Sequence, residues 1–243
     1  MGCPVEEVQD RWAQAIANPI APKEISSDEA PCHEVIIEGD DLDKPGNALD
    51  YIPVPISTPG WDVGPVATLT QYVTRDPDTG LSNMGNYRAQ IKGPRRVGMN
   101  PSLELRPGIY VHWEKMKKRG EKLPAAVVLG APSCVTFTAA QKLPENLEEI
   151  TVAGGLVGSP INVVKARTVD LMVPAEAEIV VEGYINTEML EPEAPFGESH
   201  GHVNLQEFNA YMDVTCITRR SKPIMTSIIS QVTPSESSCI KQV

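Results

Sequence analysis

Apolar residues recur along this chain with two different periods. Between positions 5 and 18, Val5, Val8, Trp12 and Ile16 fall three or four residues apart and the run stops at Asn18-Pro19, which predicts one amphipathic helix. Residues 109 to 119 carry Ile109, Trp113 and Met116 at the same spacing and end at Gly120, and 145 to 157 read the same way, so two further helices are expected. Elsewhere the pattern is that of strands. Residues 66 to 74, 86 to 92, 124 to 130, 161 to 173, 176 to 185, 209 to 219 and 223 to 232 are rich in Val, Ile, Thr and Tyr and are bounded by Gly, Pro or Asp turns. Arg219-Arg220-Ser221-Lys222 is expected to join the last two as a hairpin. Strands follow one another rather than alternate with helices, so the predicted class is α+β: a mostly antiparallel barrel with a few flanking helices.

The intervening segments set the organisation. Residues 1 to 60 form the helix, a polar linker to about Ala30, and a Pro-rich acidic stretch expected to run as extended loop over the surface. Its EGDDLD run lacks the Glu at the twelfth position of a calcium-binding EF-hand loop and reads as solvated loop. Residues 61 to 232 hold the barrel. In 233 to 243, Thr233-Pro234-Ser235-Glu236 is a helix-start signal, with Thr233 as N-cap and Pro234 at the first position. A helix that short is marginal alone, so the chain is expected to be a fragment, or a subunit whose partner covers that end.

Charge removes several function classes. A net charge of -11 and a sequence pI near 4.9 argue against a nucleic-acid partner, and the one basic run, Lys115 to Lys122, reads as a solvated helix face. No stretch approaches the length of a membrane span and the N-terminus has no signal pattern, so a soluble, cytoplasmic protein without membrane association is expected. Gly2 with Glu at position 6 does not make an acylation signal. The five cysteines show no CxxC spacing and read as reduced thiols.

Two segments concentrate chemistry. EPEAPFGESHGH, residues 191 to 202, crowds Glu191, Glu193 and Glu198 around a rigid Pro-Phe-Gly step, although like charges in one site raise each other's proton affinity. TRDPDTGLSNMGNYRAQ, residues 74 to 90, places an Asp-Pro-Asp-Thr-Gly turn ahead of Asn83, Asn86, Tyr87 and Arg88.

Together with AVVLGAPS, EEITVAGGLVGSP and VPAEAEIVVEG, in this order, these segments resemble the UbiD family of reversible decarboxylases, from about Ala30 to the end. The resemblance implies a split β-barrel akin to flavin reductases, prenylated FMN as cofactor, a divalent Mn2+ or Mg2+ ion, and potassium. It implies a small carboxylic acid substrate, aromatic, heteroaromatic or α,β-unsaturated, with CO2 as co-product. Asn83 and Glu149 match the positions that hold the metal, and both are hard oxygen ligands suited to such ions. Asn86, Tyr87 and Arg88 match the segment lining the flavin. Arg88, Glu193 and Glu198 match the network at the reacting centre, where the guanidinium holds one carboxylate ionised and the second, crowded and desolvated, keeps its proton to deliver it.

The sequence departs from the family pattern in two places. A third metal ligand, usually a histidine soon after a Pro-Gly turn, has only His112 as candidate, and on a helical face His112 reads equally as a packed core residue. Ala194 replaces the first glycine of the family's Glu-Gly-Pro-Phe-Gly. His200 and His202, just after the acid, read as substrate-tuning or as exposed loop histidines. The family's enzymes carry further regions, so the expected partner is a homo-oligomer or a subunit supplying a missing C-terminal domain. A non-catalytic subunit and a flavin reductase-like oxidoreductase are the two alternatives.

Overall fold

The computed structural model describes the chain except residues 1, 101–105, 145, 194, 199–200, 230–232 and 241–243. A short 3-10 turn leads into helix α1 (Val8–Ala17), followed by β1 (Lys23–Glu24) and β2 (Val35–Glu38). The barrel strands then begin: β3 (Val66–Ala67), β4 (Thr70–Arg75), β5 (Ser82–Asn86), β6 (Ala89–Gly93) and β7 (Arg96–Gly98). Helix α2 (Gly108–Arg119) ends at Gly120, whose φ of 71° turns the chain into β8 (Leu123–Leu129). Helices α3 (Ser133–Ala139) and α4 (Glu149–Val157) precede the hairpin of β9 (Asn162–Lys165) and β10 (Met172–Pro174). After β11 (Ile179–Ile185) come four short strands, β12 (Glu191–Glu193), β13 (Phe196–Gly197), β14 (Val203–Asn204) and β15 (Glu207–Asn209). The long β16 (Tyr211–Arg219) and helix α5 (Glu236–Ile240) complete the chain.

The main sheet runs β3-β6-β7-β16-β11-β8-β4-β5, with β2 also paired to β16, and every pairing in it is antiparallel. It curls into the expected half-barrel. Its central strands are buried on both faces, which is why they read as continuous apolar runs rather than as alternation. Along β8, Ala125, Val127 and Leu129 face the inner core with Tyr72, Val181 and Ile217, while Ala126 and Val128 face an outer core with Val135, Ile150, Val163 and Val173. Helices α3 and α4 and the β9–β10 hairpin cover that outer face.

Four expectations need correction. The Pro-rich segment 30–59 is not only surface loop: β2 adds to the sheet, and Leu42, Leu49 and Ile52 enter the inner core, with the EGDDLD run coiled as a 3-10 turn around Leu42. Of the expected 223–232 strand, residues 223–229 form no strand and 230–232 lie outside the described residues. The edge of β16 that the expected hairpin would use is occupied by β2, from Cys216↔Glu38 to Arg219↔Val35. The segment's backbone is satisfied by side chains instead: Ile224 N–H donates to Glu178, and Ile228 N–H donates to Thr68 Oγ1. The 161–173 strand is two strands, folded back where Ala166 N–H donates to the Leu171 carbonyl. Finally, the helix near the end is capped by Ser235, not Thr233: Ser238 N–H donates to Ser235 Oγ, and Ser235 N–H donates to Ser238 Oγ. Among the described residues the cysteines are free thiols, Cys32 and Cys216 being buried, and no helix is long and apolar enough to cross a membrane.

Leu42 is fully buried although it lies in an acidic, Pro-rich stretch. Leu42→Ala is expected to lower stability by about 3 kcal/mol, read as a fall in the urea midpoint; a change within error would return this segment to the surface.

Candidate active site

Tyr87 and Arg88 stand between β5 and β6, where a pair of contacts to Thr70 breaks the strand: Tyr87 N–H donates to the Thr70 carbonyl, and Thr70 Oγ1 donates back to the Tyr87 carbonyl. Past that break Arg88 meets the acidic segment. Its Nε and Nη2 donate to Glu193 Oε1 and Oε2, each at 2.8 Å, and its Nη1 contacts Glu198 Oε1. The guanidinium also lies 5.0 Å from the centroid of Phe196, which is itself packed on Val66. The two carboxylates differ in setting. Glu193 is 1% exposed, Glu198 27%. Burial works against ionisation of Glu193, and the Arg88 hydrogen bonds and charge outweigh it, holding its carboxyl below the ordinary carboxylate range.

Two small ribbons hold this arrangement. β12 pairs with β15, and β13 pairs with β14 through Phe196↔Asn204 and Gly197↔Val203. Three asparagines that sequence reasoning missed complete the network: Asn100 and Asn209 donate to Glu193 Oε2 at 3.1 and 3.5 Å, and Asn204 donates to Glu198 Oε1 at 2.8 Å. The third carboxylate of the motif, Glu191, is occupied elsewhere, paired with Arg96 at 2.6 Å and Lys92 at 3.5 Å. The crowding suggested by the sequence is therefore divided among three cationic partners, Arg88, Arg96 and Lys92. His202 is exposed; Ala194 and His200 lie outside the described residues.

A second cluster forms along β5. This strand is an edge of the sheet, and its outward N–H groups are met by consecutive carboxylates at the start of α4: Ser82 donates to Glu148 at 2.7 Å and Met84 donates to Glu149 at 2.8 Å. Glu149 is buried with no cationic partner among the described residues, and desolvation pushes its pKa up to about 7. A cavity of about 120 Å3 adjoins it, lined in part by Ser82, Met84, Glu148, Glu149 and Ile150. One residue before Met84, Asn83 has its Nδ2 buried with no hydrogen-bond partner among the described residues. Gly108, opening α2, packs so closely on Asn83 that a Cβ there would sit 2.1 Å from Oδ1. Tyr87 is raised to about 12 by burial, with its hydroxyl beside Asn83.

The other expected residues are placed as follows. The Asn86 amide is held at both ends by the protein, accepting from Gln71 Nε2 at 2.9 Å and donating to the Thr136 carbonyl at 3.2 Å. His112 occupies the core position between α2 and β4. Its Nδ1 pairs with Thr74 Oγ1 at 2.9 Å, its Nε2 lies 3.9 Å from Asp76, and burial lowers its pKa to about 4. Among the described residues no group of three or more His, Cys, Asp or Glu is arranged to hold a metal. A larger cavity of about 660 Å3 lies at α1, α3 and α4, lined in part by Arg11, Cys134 and Phe137. It brings together no acid–base pair, so size does not mark the reacting centre.

Comparison with known proteins places the chain in a family. Residues 23–232 match the UbiD family model, described as the 3-octaprenyl-4-hydroxybenzoate carboxy-lyase Rift-related domain, and the chain belongs to that family. It is 35% identical over 206 residues to an uncharacterized protein of Synechocystis sp., a match covering 85% of this chain and 40% of that protein. The structure is similar to that of the UbiD-class enzyme HmfF from Pelotomaculum thermopropionicum in complex with FMN, with a TM-score of 0.87 and 31% identity over 95% of this chain and 50% of that one. It is also similar to vanillic acid decarboxylase from Sedimentibacter hydroxybenzoicus in closed form, with a TM-score of 0.86 and 28% identity over 97% of this chain and 49% of that one. The chain thus spans about half the length of these relatives, or less.

Glu149 gives a pH dependence with a definite sign. Its folded-state pKa of about 7 lies above the ordinary 4.5, so its contribution to stability is complete below pH 4.5 and is lost as pH rises through 7. In metal-free protein, thermal melts are expected to fall across that window, and Glu149→Gln is expected to flatten this part of the fall.

Proposed function

We propose that this chain is the cofactor-binding barrel of a UbiD-type carboxy-lyase, which removes CO2 reversibly and without net oxidation from an aromatic, heteroaromatic or α,β-unsaturated carboxylic acid. The observation that carries this reading is the buried Arg88–Glu193 pair with a second carboxylate, Glu198, held at its more exposed side. The presence of FMN in the similar HmfF structure supports a flavin, and the resemblance in the sequence favours its prenylated form.

The residues along β5 fit a cation with a phosphate-bearing cofactor. Among the described residues, the buried amide nitrogen of Asn83 has no hydrogen-bond partner and the buried carboxylate of Glu149 no counter-charge. These two would hold Mn2+ or Mg2+, hard ions that favour such oxygens; His112 is set aside because its ring is engaged by Thr74 and Asp76. Tyr87 and the backbone of Asn86 would border the cofactor, and potassium is assigned to no residue. When bound, the prenylated flavin supplies the electron sink for decarboxylation.

The chain's own residues do the acid–base work. Glu193, ionised, fixes Arg88; Arg88 in turn orients Glu198 and attracts the substrate carboxylate. Glu198 gives the proton to the carbon that CO2 leaves, and takes one back in the carboxylation direction. Because relatives are about twice as long, a second reading is that this chain supplies barrel and acid while other polypeptide, in the same or a partner chain, closes the site.

In the assembled, cofactor-loaded enzyme, Glu198→Gln is expected to abolish both CO2 release and exchange of the product hydrogen with D2O while flavin absorbance persists. Exchange at the wild-type rate would remove Glu198 from the role. Separately, Glu149→Gln is expected to lower the flavin and metal content of purified protein, since an anionic ligand is lost; unchanged content would leave Glu149 as a clasp on β5 alone.

A further inference from the structure

The two carboxylates on Arg88 receive their hydrogen bonds very differently. Glu193 is supplied on both oxygens: Arg88 Nε reaches Oε1, while Arg88 Nη2, Asn100 and Asn209 all reach Oε2. Glu198 is supplied on one. Arg88 Nη1 and Asn204 Nδ2 both donate to Oε1, and among the described residues no donor reaches Oε2. Asn204 is fixed for this task by the β13–β14 ribbon, where it stands opposite Phe196, the ring over which Arg88 lies.

We propose that Asn204 is a positioning residue for Glu198, occupying Oε1 together with Arg88 so that Oε2 is the oxygen that carries the transferred proton. This deepens the decarboxylase reading and rests on it. The chemistry follows from donor counts. Guanidinium and amide N–H groups only donate, so an O–H on Oε1 would direct a hydrogen at two others, whereas Oε2 has room for one. When the bond to CO2 breaks, its electron pair stays on the substrate carbon. The Oε2–H bond then breaks, the proton joins that carbon, and Glu198 is left as a carboxylate held by Arg88 and Asn204. Its partly exposed side allows solvent to return a proton.

Two substitutions separate this role from simple packing. Asn204→Asp keeps the shape of the side chain but sets an acceptor carboxylate against Oε1, while Asn204→Ala only removes the donor. In the assembled, loaded enzyme, Asn204→Ala is expected to lower kcat about tenfold and Asn204→Asp about a hundredfold, with KM changed by less than about twofold. In cofactor-free protein carrying 13C-labelled glutamate, the carboxyl resonance of Glu198 should move in both variants and that of Glu193 should not. A packing role gives the reverse order, Ala worse than Asp, and that order overturns the proposal, as does an unmoved Glu198 resonance. If the resonance moves as expected but Glu198→Gln still protonates product, the decarboxylase reading of Glu198 falls and the assignment of Oε2 falls with it.

Discussion

The pairing of Arg88 with Glu193 constrains everything around it. A guanidinium 10% exposed and a carboxylate 1% exposed are each unfavourable out of water, and removing either would leave the other buried and uncompensated. The pair persists because its geometry is bidentate and because Asn100 and Asn209 add donors to Glu193 Oε2. Around that pair stand the break between β5 and β6 that Thr70 holds, the β12–β15 ribbon that carries Glu193, and Phe196, packed on Val66 beside the guanidinium. Glu198 inherits its place from a side chain that cannot move without exposing a charge to apolar surroundings.

The half-barrel supplies the rigidity this needs. Strands β8 and β11 are covered on both faces, so the sheet behind β4 and β5 is fixed by packing on either side. The candidate site is assembled at its margin from distant parts of the sequence: Asn83 to Asn100, the start of α4, and Glu193 to Asn209. Each part is anchored differently, one by ladder pairing, one by carboxylates on a strand edge, one by short ribbons. This division separates the cluster around Glu149 from the cluster around Glu198, so that the two share no carboxylate.

Much of this was legible in the sequence where a residue type has one strong use. Arg88 with Glu193 and Glu198 could be grouped because their segments resemble those of the UbiD family, and the helices because three or more apolar residues kept their period. The asparagines could not. Asn204 and Asn209 lie in strands of two and three residues, too short for any period, and an amide in a loop has many ordinary uses. Leu42 was hidden by its acidic neighbours, since a single apolar residue in a 3-10 turn leaves no pattern. The segment 223–229 had the composition of a strand but not the opportunity, because β2, nearly 180 residues earlier in sequence, had taken the edge of β16. His112 was ambiguous from sequence because a metal ligand and a core histidine share the same helical spacing; in the structure its ring is buried beside Thr74.

The carboxylates of Glu148 and Glu149 have one more consequence. An open sheet ending in a strand such as β5 offers a row of unpaired N–H groups to any other extended chain, and that is the usual beginning of ordered self-association. Here two of those groups, on Ser82 and Met84, already donate to side chains rooted in a helix. An incoming strand would have to displace negative charge before forming its first ladder bond. The same contacts that keep Glu149 in place therefore guard this edge of the sheet.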